Sequence, residues 1–538
     1  MISDFLRGEI ETVLKGLSPA PETKKLKGLN IKLGESFGDY TTNAAIILST
    51  DMIVYSSVVK NPREVAEQII AELSKNEKIW KLFSKPKMEI AGPGFINFYL
   101  SDEALVDELK VVRERVGSGF DFLRAQKINL EFISANPTGE LHIGHGRGAF
   151  YGDALSNIFS FSGAKITREY YINDSKDSNQ IVELGKTALG LGEQYKTFKL
   201  LEIIKEMDFS GMEPKEAGAL LASKVQEYNR NFIEGKLGVK FDEWFSENSL
   251  YESGRVEKTV KILTDKKLLH KKEGEGEALW LPTSEYGDDE DRVVVRSDGT
   301  YTYFLSDIAY HGDKFSRGYD KVIDIWGADH HGHVKRIQAA KEILGWKGEL
   351  KVFITQLVSL KENGVSAKMS KRAGNVVLLE DLVDEFGIDV VRWFFSDKSL
   401  STHMDFDMVL AKEHSAKNPV FYVQYAHARI CSILEKAKGV TPDGSGLPDI
   451  MKEPAARALA VKISEFPEIV FSIANDYQVH KLTTYAYELA SSFAQFYEKV
   501  RIVEDGGYNQ GALLLAEIAR NTLAKSLELL GISAPESM

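Results

Sequence analysis

Cysteine is almost missing from this 538-residue chain: Cys431 is the only one. No internal disulfide can form, and no cage of thiolates can hold zinc. Cys431 lies in AHARICSILEK, a helical pattern in which an inert, buried thiol is the plain reading. Long hydrophobic runs are missing as well, so no segment has the length and purity of a membrane-spanning helix. The opening, MISDFLRGEIETVLKGL, reads as an amphipathic helix and lacks the basic start and apolar core of a secretion signal. A cytoplasmic protein with no membrane partner is the expectation. A surplus of positive charge is missing too, with 67 Lys and Arg against 79 Asp and Glu and a formal net charge of −12. That argues against a generally adhesive nucleic-acid binder but leaves room for a local basic face.

What is present is ordinary globular composition, 43% hydrophobic and 27% charged, in a chain long enough for several domains. Three blocks emerge, with no internal repeat and no low-complexity tract. Residues 1–105 open with helices, pass through FGDYTTNAAIIL and close on MEIAGPGFINFYL, whose alternation and glycines predict strands joined by a turn. Residues 125–415 alternate strand-like runs (INLEFIS, ITREYYI, RVVVR, YTYFL, KVIDIWG, KVFITQLVSL) with helical ones, which predicts a parallel sheet covered by helices. Residues 417–538 are helical in period, without strand signals, and predict a bundle. Truncation before Asn418 is therefore expected to leave the α/β block folded.

Two motifs carry the chemistry. The first runs from Ala135 through Asn136, Pro137, Thr138, Gly139, Glu140 and Leu141 to His142, Ile143, Gly144 and His145. A strand from Ile128 to Ser134 leads into this Pro/Gly turn, and a helix starts at about His142. His142 and His145, three apart, share one face of its first turn. Free backbone N–H groups and the positive dipole end there would make an anion site, and Gly144 would leave room for a flat adenine. The bland alternative is a strand–turn–helix with two surface histidines. The second motif, within VSLKENGVSAKMSKRAGN, concentrates Lys368, Met369, Ser370, Lys371 and Arg372 in a loop after a strand and a Gly-containing turn. Such a loop can close on a departing pyrophosphate; taken alone, it could also be a solvated charge run.

HIGH followed by KMSK, each at a strand end in one α/β block, resembles the class I aminoacyl-tRNA synthetases. Several stretches are similar to arginyl-tRNA synthetases in particular: SANPTGELHIGHGR, TYTYFLSDIAYH, NPVFYVQYAHARI, FGDYTTNAA, GPGFINFYL and the ending LLGISAPESM. The resemblance implies a multidomain α/β fold. It comprises a Rossmann-like parallel-sheet catalytic domain, a small N-terminal α/β accessory domain contacting the outer corner of tRNA, and an all-α anticodon-binding domain. It also implies that arginine is activated with ATP to arginyl-adenylate and pyrophosphate, then transferred to the terminal adenosine of tRNA(Arg). Activation is expected to need bound tRNA, Mg²⁺ to accompany the ATP phosphates without a dedicated protein site, and the chain to be a monomer.

By the same resemblance, His142, His145, Lys368 and Lys371 are catalytic. Gly144, Gly327, Asp329, Met369 and Ser370 join them around ATP. Glu131, Asn136, Tyr303 and Asp307 match arginine-binding positions. Alternatives stay open at several of these. Glu131, an acid in an apolar strand, needs either a functional or a salt-bridge partner. Tyr303 would suit a sheet surface, and Asp307 could cap the helix beginning IAYHGDKF. His330, His331 and His333 beside Asp329 suggest zinc, but only His330 and His333 have helix-face spacing, and the segment fits nucleotide contacts better. Arg372 replaces the serine that often follows KMSK and keeps a hydrogen-bond donor there. The competing functions are another class I synthetase and a catalytically silent tRNA-binding relative. A single cysteine disfavours the cysteinyl enzyme, and the short span between motifs leaves no room for the editing domain of the isoleucyl, valyl and leucyl enzymes.

Overall fold

The structure is a computed structural model that describes residues 1–16, 29, 31–33, 38–55, 61–366, 377–504 and 507–538. The chain is a multidomain α/β protein built on three layers of organisation.

The first unit is an antiparallel sheet of β1 (Ile31–Leu33), β2 (Tyr40–Thr42), β3 (Phe83–Ala91) and β4 (Phe95–Leu100), in the order β1-β2-β4-β3. The hairpin β3–β4 turns at Gly92 and Gly94, both at positive φ, as the MEIAGPGFINFYL pattern predicts. Helix Ile2–Gly16 lays Ile2, Leu6, Ile10 and Leu14 against the rest, a spacing of four that gives one apolar stripe.

The central sheet is wholly parallel: β5 (Lys127–Glu131), β6 (Lys165–Ile172), β7 (Glu243–Ser246), β10 (Lys321–Trp326) and β11 (Glu349–Ile354), in the order β11-β10-β5-β6-β7. The order reverses at β5, so the crevice between the carboxyl ends of β5 and β10 is the topological switch point where such folds bind ligands. Strands β8 (Leu279–Leu281) and β9 (Arg292–Val295) form a separate hairpin, so the expected RVVVR strand lies outside the main sheet. The expected run KVFITQLVSL splits at Thr355 into β11 and β12 (Val358–Glu362). β12 pairs with β13 (Val365–Ser366) and, in parallel, with β14 (Met404–Asp407).

YTYFL is not a strand. Tyr303–Ser316 is a helix entered through Thr302, with Phe304, Leu305, Ile308, Ala309, His311 and Phe315 buried along it. Helical periodicity over fourteen residues outweighs the β-propensity of three aromatic residues at its start. Asp307 is therefore a residue of the second turn, not a helix cap.

The C-terminal unit packs helices Pro419–Lys436, Pro454–Ser464, Phe466–Asp476, His480–Lys499 and Gln510–Leu529 together. Two short antiparallel strands, Val503–Glu504 and Gly507–Tyr508, interrupt it, and the Asp-Gly pair between them in sequence is a hairpin signal that the all-helical reading passed over. One hydrophobic core runs through all three units, from Ile2 and Phe98 through Phe132 and Trp393 to Phe466 and Leu527. Removing the bundle would expose that core, so the α/β block is not expected to fold unaided. This weighs against the expectation that a chain truncated before Asn418 keeps its α/β block folded. No helix among the described residues is long and apolar enough to cross a membrane.

Candidate active site

The segment that leaves β5 is strained. Ile133 has φ 69° and Ser134 φ 40°, so the strand ends at Glu131 and not at Ser134 as its composition suggests. A β-branched residue in that region costs about 1–3 kcal/mol. The neighbouring strand supplies the restraint. Tyr171 N donates to Ser134 Oγ (3.1 Å), Asn173 to Ser134 O (3.2 Å), and the Tyr170 hydroxyl both accepts from Ala135 N (3.1 Å) and donates to Ala135 O (3.2 Å). The strain turns Asn136 to Glu140 into a cleft of about 1560 Å³ at the switch point.

Asn136, His142, Gly144, His145, Gly327 and Asp329 all line that cleft. So do Ala135, Thr138, Gly139, Glu140 and Ile143, whereas Pro137 and Leu141 are buried behind it. His142 caps helix Ile143–Phe161: its Nδ1 accepts from Gly144 N (3.1 Å), while His142 N donates to Nδ1 of His145 (3.1 Å). The two rings stack with centroids 3.8 Å apart. Because both Nδ1 atoms accept, each ring carries its proton on Nε2. Burial lowers the pKa of His142; burial, then His142, pushes His145 down to about 3. The pair is neutral at ordinary pH and offers Nε2–H donors rather than charge.

The expected free N–H groups at this helix start are not free. Ile143 N donates to Val377 O (3.0 Å), Gly144 N to His142, and His145 N to His142 O (2.9 Å). What remains for an anion is the imidazole donors and the dipole. Gly144 also has a reason beyond adenine: an added Cβ would lie 2.8 Å from the His142 ring.

Lys368, Met369, Ser370 and Lys371 lie outside the described residues, but both approaches to them are ordered around the same cleft. Asn363 (φ 52°) and Gly364 (φ 77°) turn the β12–β13 hairpin before them. After them, Leu379 N donates to Leu141 O (2.9 Å), completing an antiparallel bridge to the HIGH segment. Gly327 is constrained by Asp329, whose Oδ1 would lie 2.6 Å from a Cβ there. Asp329 itself is exposed and pairs with His330 at 3.5 Å. Among the described residues no group of three or more His, Cys, Asp or Glu gathers as for a metal ion.

Glu131 is buried beneath the cleft. The strand registers Asp324↔Glu131↔Glu169 set three carboxylates side by side across β10, β5 and β6. Like charges so placed repel, and buried ones must be paired. Helix Tyr303–Ser316 meets the need. Lys314 bridges Glu131 and Asp324 (2.7 Å to the latter), the Tyr310 hydroxyl touches Glu131 (2.9 Å) and Glu169 (2.8 Å), and Arg317 pairs with Glu169 (2.7 Å). Burial alone would lower the Lys314 ammonium, but Asp324 and Glu131 outweigh it and hold it above its usual range.

Asp307 points into a recess beside this network, with His333 Nδ1 at 4.0 Å. Burial raises its carboxyl to about 6, against the pull of His311 and His330. With 38% of its side chain still open, it is recessed rather than sealed. Facing it is Glu247, raised to about 7 by burial and then by Asp307. Sequence reasoning missed Glu247; the signal was an acid closing a short apolar run, WFSE, as Glu131 closes INLE. Tyr303 lies one turn before Asp307, its hydroxyl accepting from Asn179 N (3.3 Å) and half exposed; it does not line the main cleft.

Comparison with known proteins agrees along the whole chain. Family models match in order: the arginyl tRNA synthetase N terminal domain over 4–100, the class I (R) tRNA synthetase catalytic domain over 110–181 and 192–415, and the DALR anticodon binding domain over 423–538. The arginine–tRNA ligase of Listeria monocytogenes serotype 4b is 41% identical over 573 aligned positions, covering 100% of this chain and 98% of the relative. The chain belongs to the arginyl-tRNA synthetase family. The arginine–tRNA ligase of Bacillus subtilis is 39% identical, covering 100% and 99%. The arginyl-tRNA synthetase of Plasmodium falciparum shares the fold at TM-score 0.77 and 19% identity, covering 100% of this chain and 99% of that one. As an arginyl-tRNA synthetase, the protein uses ATP to join arginine to tRNA(Arg).

Proposed function

We propose that arginine is read by the carboxylate pair Asp307 and Glu247, and that the HIGH and KMSK segments carry the activation step beside it. The observation that supports this is two neighbouring acids with raised pKa values and, among the described residues, no Lys or Arg at ion-pair distance, only the His333 ring 4.0 Å from Asp307. A planar guanidinium satisfies both at once. Glu131 lies near enough to raise Asp307 further, so we assign it the substrate's amino group, steadied by Lys314 and Tyr310. Asn136, exposed at the cleft mouth, takes the carboxylate end, and Tyr303 closes the outer edge of the recess.

The arginine carboxylate attacks the α-phosphorus in line, the bond to the β-phosphate oxygen breaks, and pyrophosphate leaves. Nε2–H of His142 and His145 donates to the α-phosphate oxygens, where charge builds, and Lys368 and Lys371 neutralise the leaving side. Asp329 accepts from ribose hydroxyls and Gly327 passes close to the adenosine. Mg²⁺ is the counter-ion that ATP brings. The unit of residues 1–105 contacts the outer corner of tRNA, and residues 417–538 read the anticodon. The protein acts as a cytoplasmic monomer, and arginine activation waits for bound tRNA. Arginine-dependent ATP–pyrophosphate exchange with tRNA(Arg) present tests the whole assignment; exchange with lysine but not arginine would sink it.

Two consequences concern the recess. Asp307→Asn should raise the arginine KM far more than the ATP KM, because it weakens one arm of a charge-assisted pair. Equal rises in both constants would make Asp307 structural. The second is pH dependence. Carboxyls raised to about 6 and about 7 are ionised at pH 8 and protonated at pH 5, so arginine affinity should fall as pH drops through that window. Near pH 6.5, binding should expel protons, which calorimetry in two buffers of different ionisation enthalpy would register. The sign for stability is opposite. A raised carboxyl pKa favours the fold at low pH, and that contribution is lost as pH rises past 6–7. Arginine should restore it.

A further inference from the structure

Tyr170 and Tyr171 stand side by side on β6 and so face opposite sides of the sheet. Each carries a hydroxyl into a buried setting, but only one of the two is satisfied. The Tyr170 hydroxyl exchanges two hydrogen bonds with Ala135, at 3.1 Å and 3.2 Å. The Tyr171 hydroxyl has no hydrogen-bond partner among the described residues, although Tyr171 is only 6% exposed. Packing accounts for its ring, which lies against Tyr310 (centroids 4.3 Å apart) and Phe245 (6.2 Å). Packing does not account for the oxygen. A phenylalanine would fill the same place, and a buried hydroxyl left unpaired weakens a fold.

Three elements bring the acids of the proposed arginine recess around that oxygen. β7 pairs with β6 at Tyr171↔Phe245, and Glu247, just beyond β7, donates its N–H to Ile172 O (2.9 Å). Helix Tyr303–Ser316 contributes Asp307 and, beside it, Ser306, whose hydroxyl lies 3.3 Å from Glu247. β5 contributes Glu131, bound to the Tyr310 hydroxyl at 2.9 Å. Burial, and then the charges of Glu247, Asp307 and Glu131, raise the Tyr171 pKa well above its ordinary value, so the oxygen stays a neutral phenol.

We propose that the Tyr171 hydroxyl is a third acceptor for the arginine guanidinium, beside Asp307 and Glu247. The inference rests on the reading of that recess as the arginine site and adds a specificity-determining contact to it. A guanidinium carries five N–H donors in one plane, and two carboxylates bound fork to fork use four of them. The fifth would be buried unpaired without another oxygen, and a neutral one takes it without adding negative charge to a crowded recess. A lysine ammonium carries its three donors on one atom, so the same arrangement favours arginine.

The test uses the full chain with tRNA(Arg) and compares Tyr171→Phe with Asp307→Asn. Tyr171→Phe should raise the arginine KM about 10- to 150-fold, the range that one hydrogen bond to a charged group gives, with the ATP KM unchanged. Its thermal midpoint without substrates should equal or exceed that of the wild type, because the fold loses an unpaired hydroxyl and no contact. An arginine KM within about twofold of the wild type overturns the proposal. So does a lowered midpoint with parallel rises in both constants, which would make the hydroxyl structural. Asp307→Asn separates this inference from the reading beneath it. If Asp307→Asn raises the arginine KM and Tyr171→Phe does not, the recess stands and the third acceptor falls. If Asp307→Asn leaves the arginine KM unchanged, arginine is read elsewhere and both fall.

Discussion

Lys371→Ala should lower the turnover of arginine activation about a hundred- to a thousand-fold while the ATP KM changes little. The effect follows from where charge develops. In the ground state counter-ions and solvent already compensate the triphosphate; in the transition state the new charge appears on the departing pyrophosphate. A cation that closes on it only then contributes to kcat and not to binding, and removing one such donor costs about 3–4 kcal/mol. The surroundings favour closure at this place. The β12–β13 hairpin leads into the motif, and Val377 and Leu379 leave it hydrogen-bonded to Ile143 and Leu141, so its exit is stitched to the HIGH segment. Single-turnover exchange at saturating ATP is the measurement, and a near-normal turnover number for Lys371→Ala would remove the lysine from the mechanism.

The parts legible in the sequence were those with a local signature. The HIGH segment, the β3–β4 hairpin and the bundle helices each announce themselves through period, turn residues or a motif. What escaped depended on register between distant strands. Glu131 could be singled out as an acid in an apolar run, but Glu169 and Asp324 gain meaning only when parallel pairing sets them in one row. Lys314 then becomes intelligible as their counter-ion, ten residues after a stretch that reads as a strand and folds as a helix. Glu247 was missed for the same reason, because only the fold brings it opposite Asp307. The histidines show the converse. Their positions were legible, yet their state was not: mutual capping and burial make them neutral Nε2–H donors and use up the N–H groups that a helix start normally leaves open.

Arginine-dependent exchange should be negligible without tRNA and clear with it, and the structure supports a route for that control. Helix Ile143–Phe161 starts in the cleft and runs back into the C-terminal bundle. The Tyr151 hydroxyl donates to Tyr477 O (2.8 Å) and accepts from Val479 N (3.1 Å), closing a junction between two bundle helices where Tyr477 is held at φ 64°. Asn157 donates to Leu529 O (3.2 Å), and Arg392 ties Asp153 of the same helix (2.8 Å) to Leu530 O (3.2 Å). The helix that positions His142 and His145 is thus hydrogen-bonded to the unit proposed to read the anticodon. tRNA can shift the catalytic end only if it binds one arrangement of this junction better than another, and the shift is bounded by that difference. Tyr151→Phe keeps the ring's bulk but removes both contacts. It should cut the tRNA-stimulated turnover while leaving tRNA affinity nearly unchanged, because the bundle's outer surface is untouched. A passive tether would give the reverse, with affinity lost and turnover kept. Strong exchange by the wild-type chain with no tRNA present would defeat the control altogether, whereas full stimulation in Tyr151→Phe would leave the control standing and close this route to it.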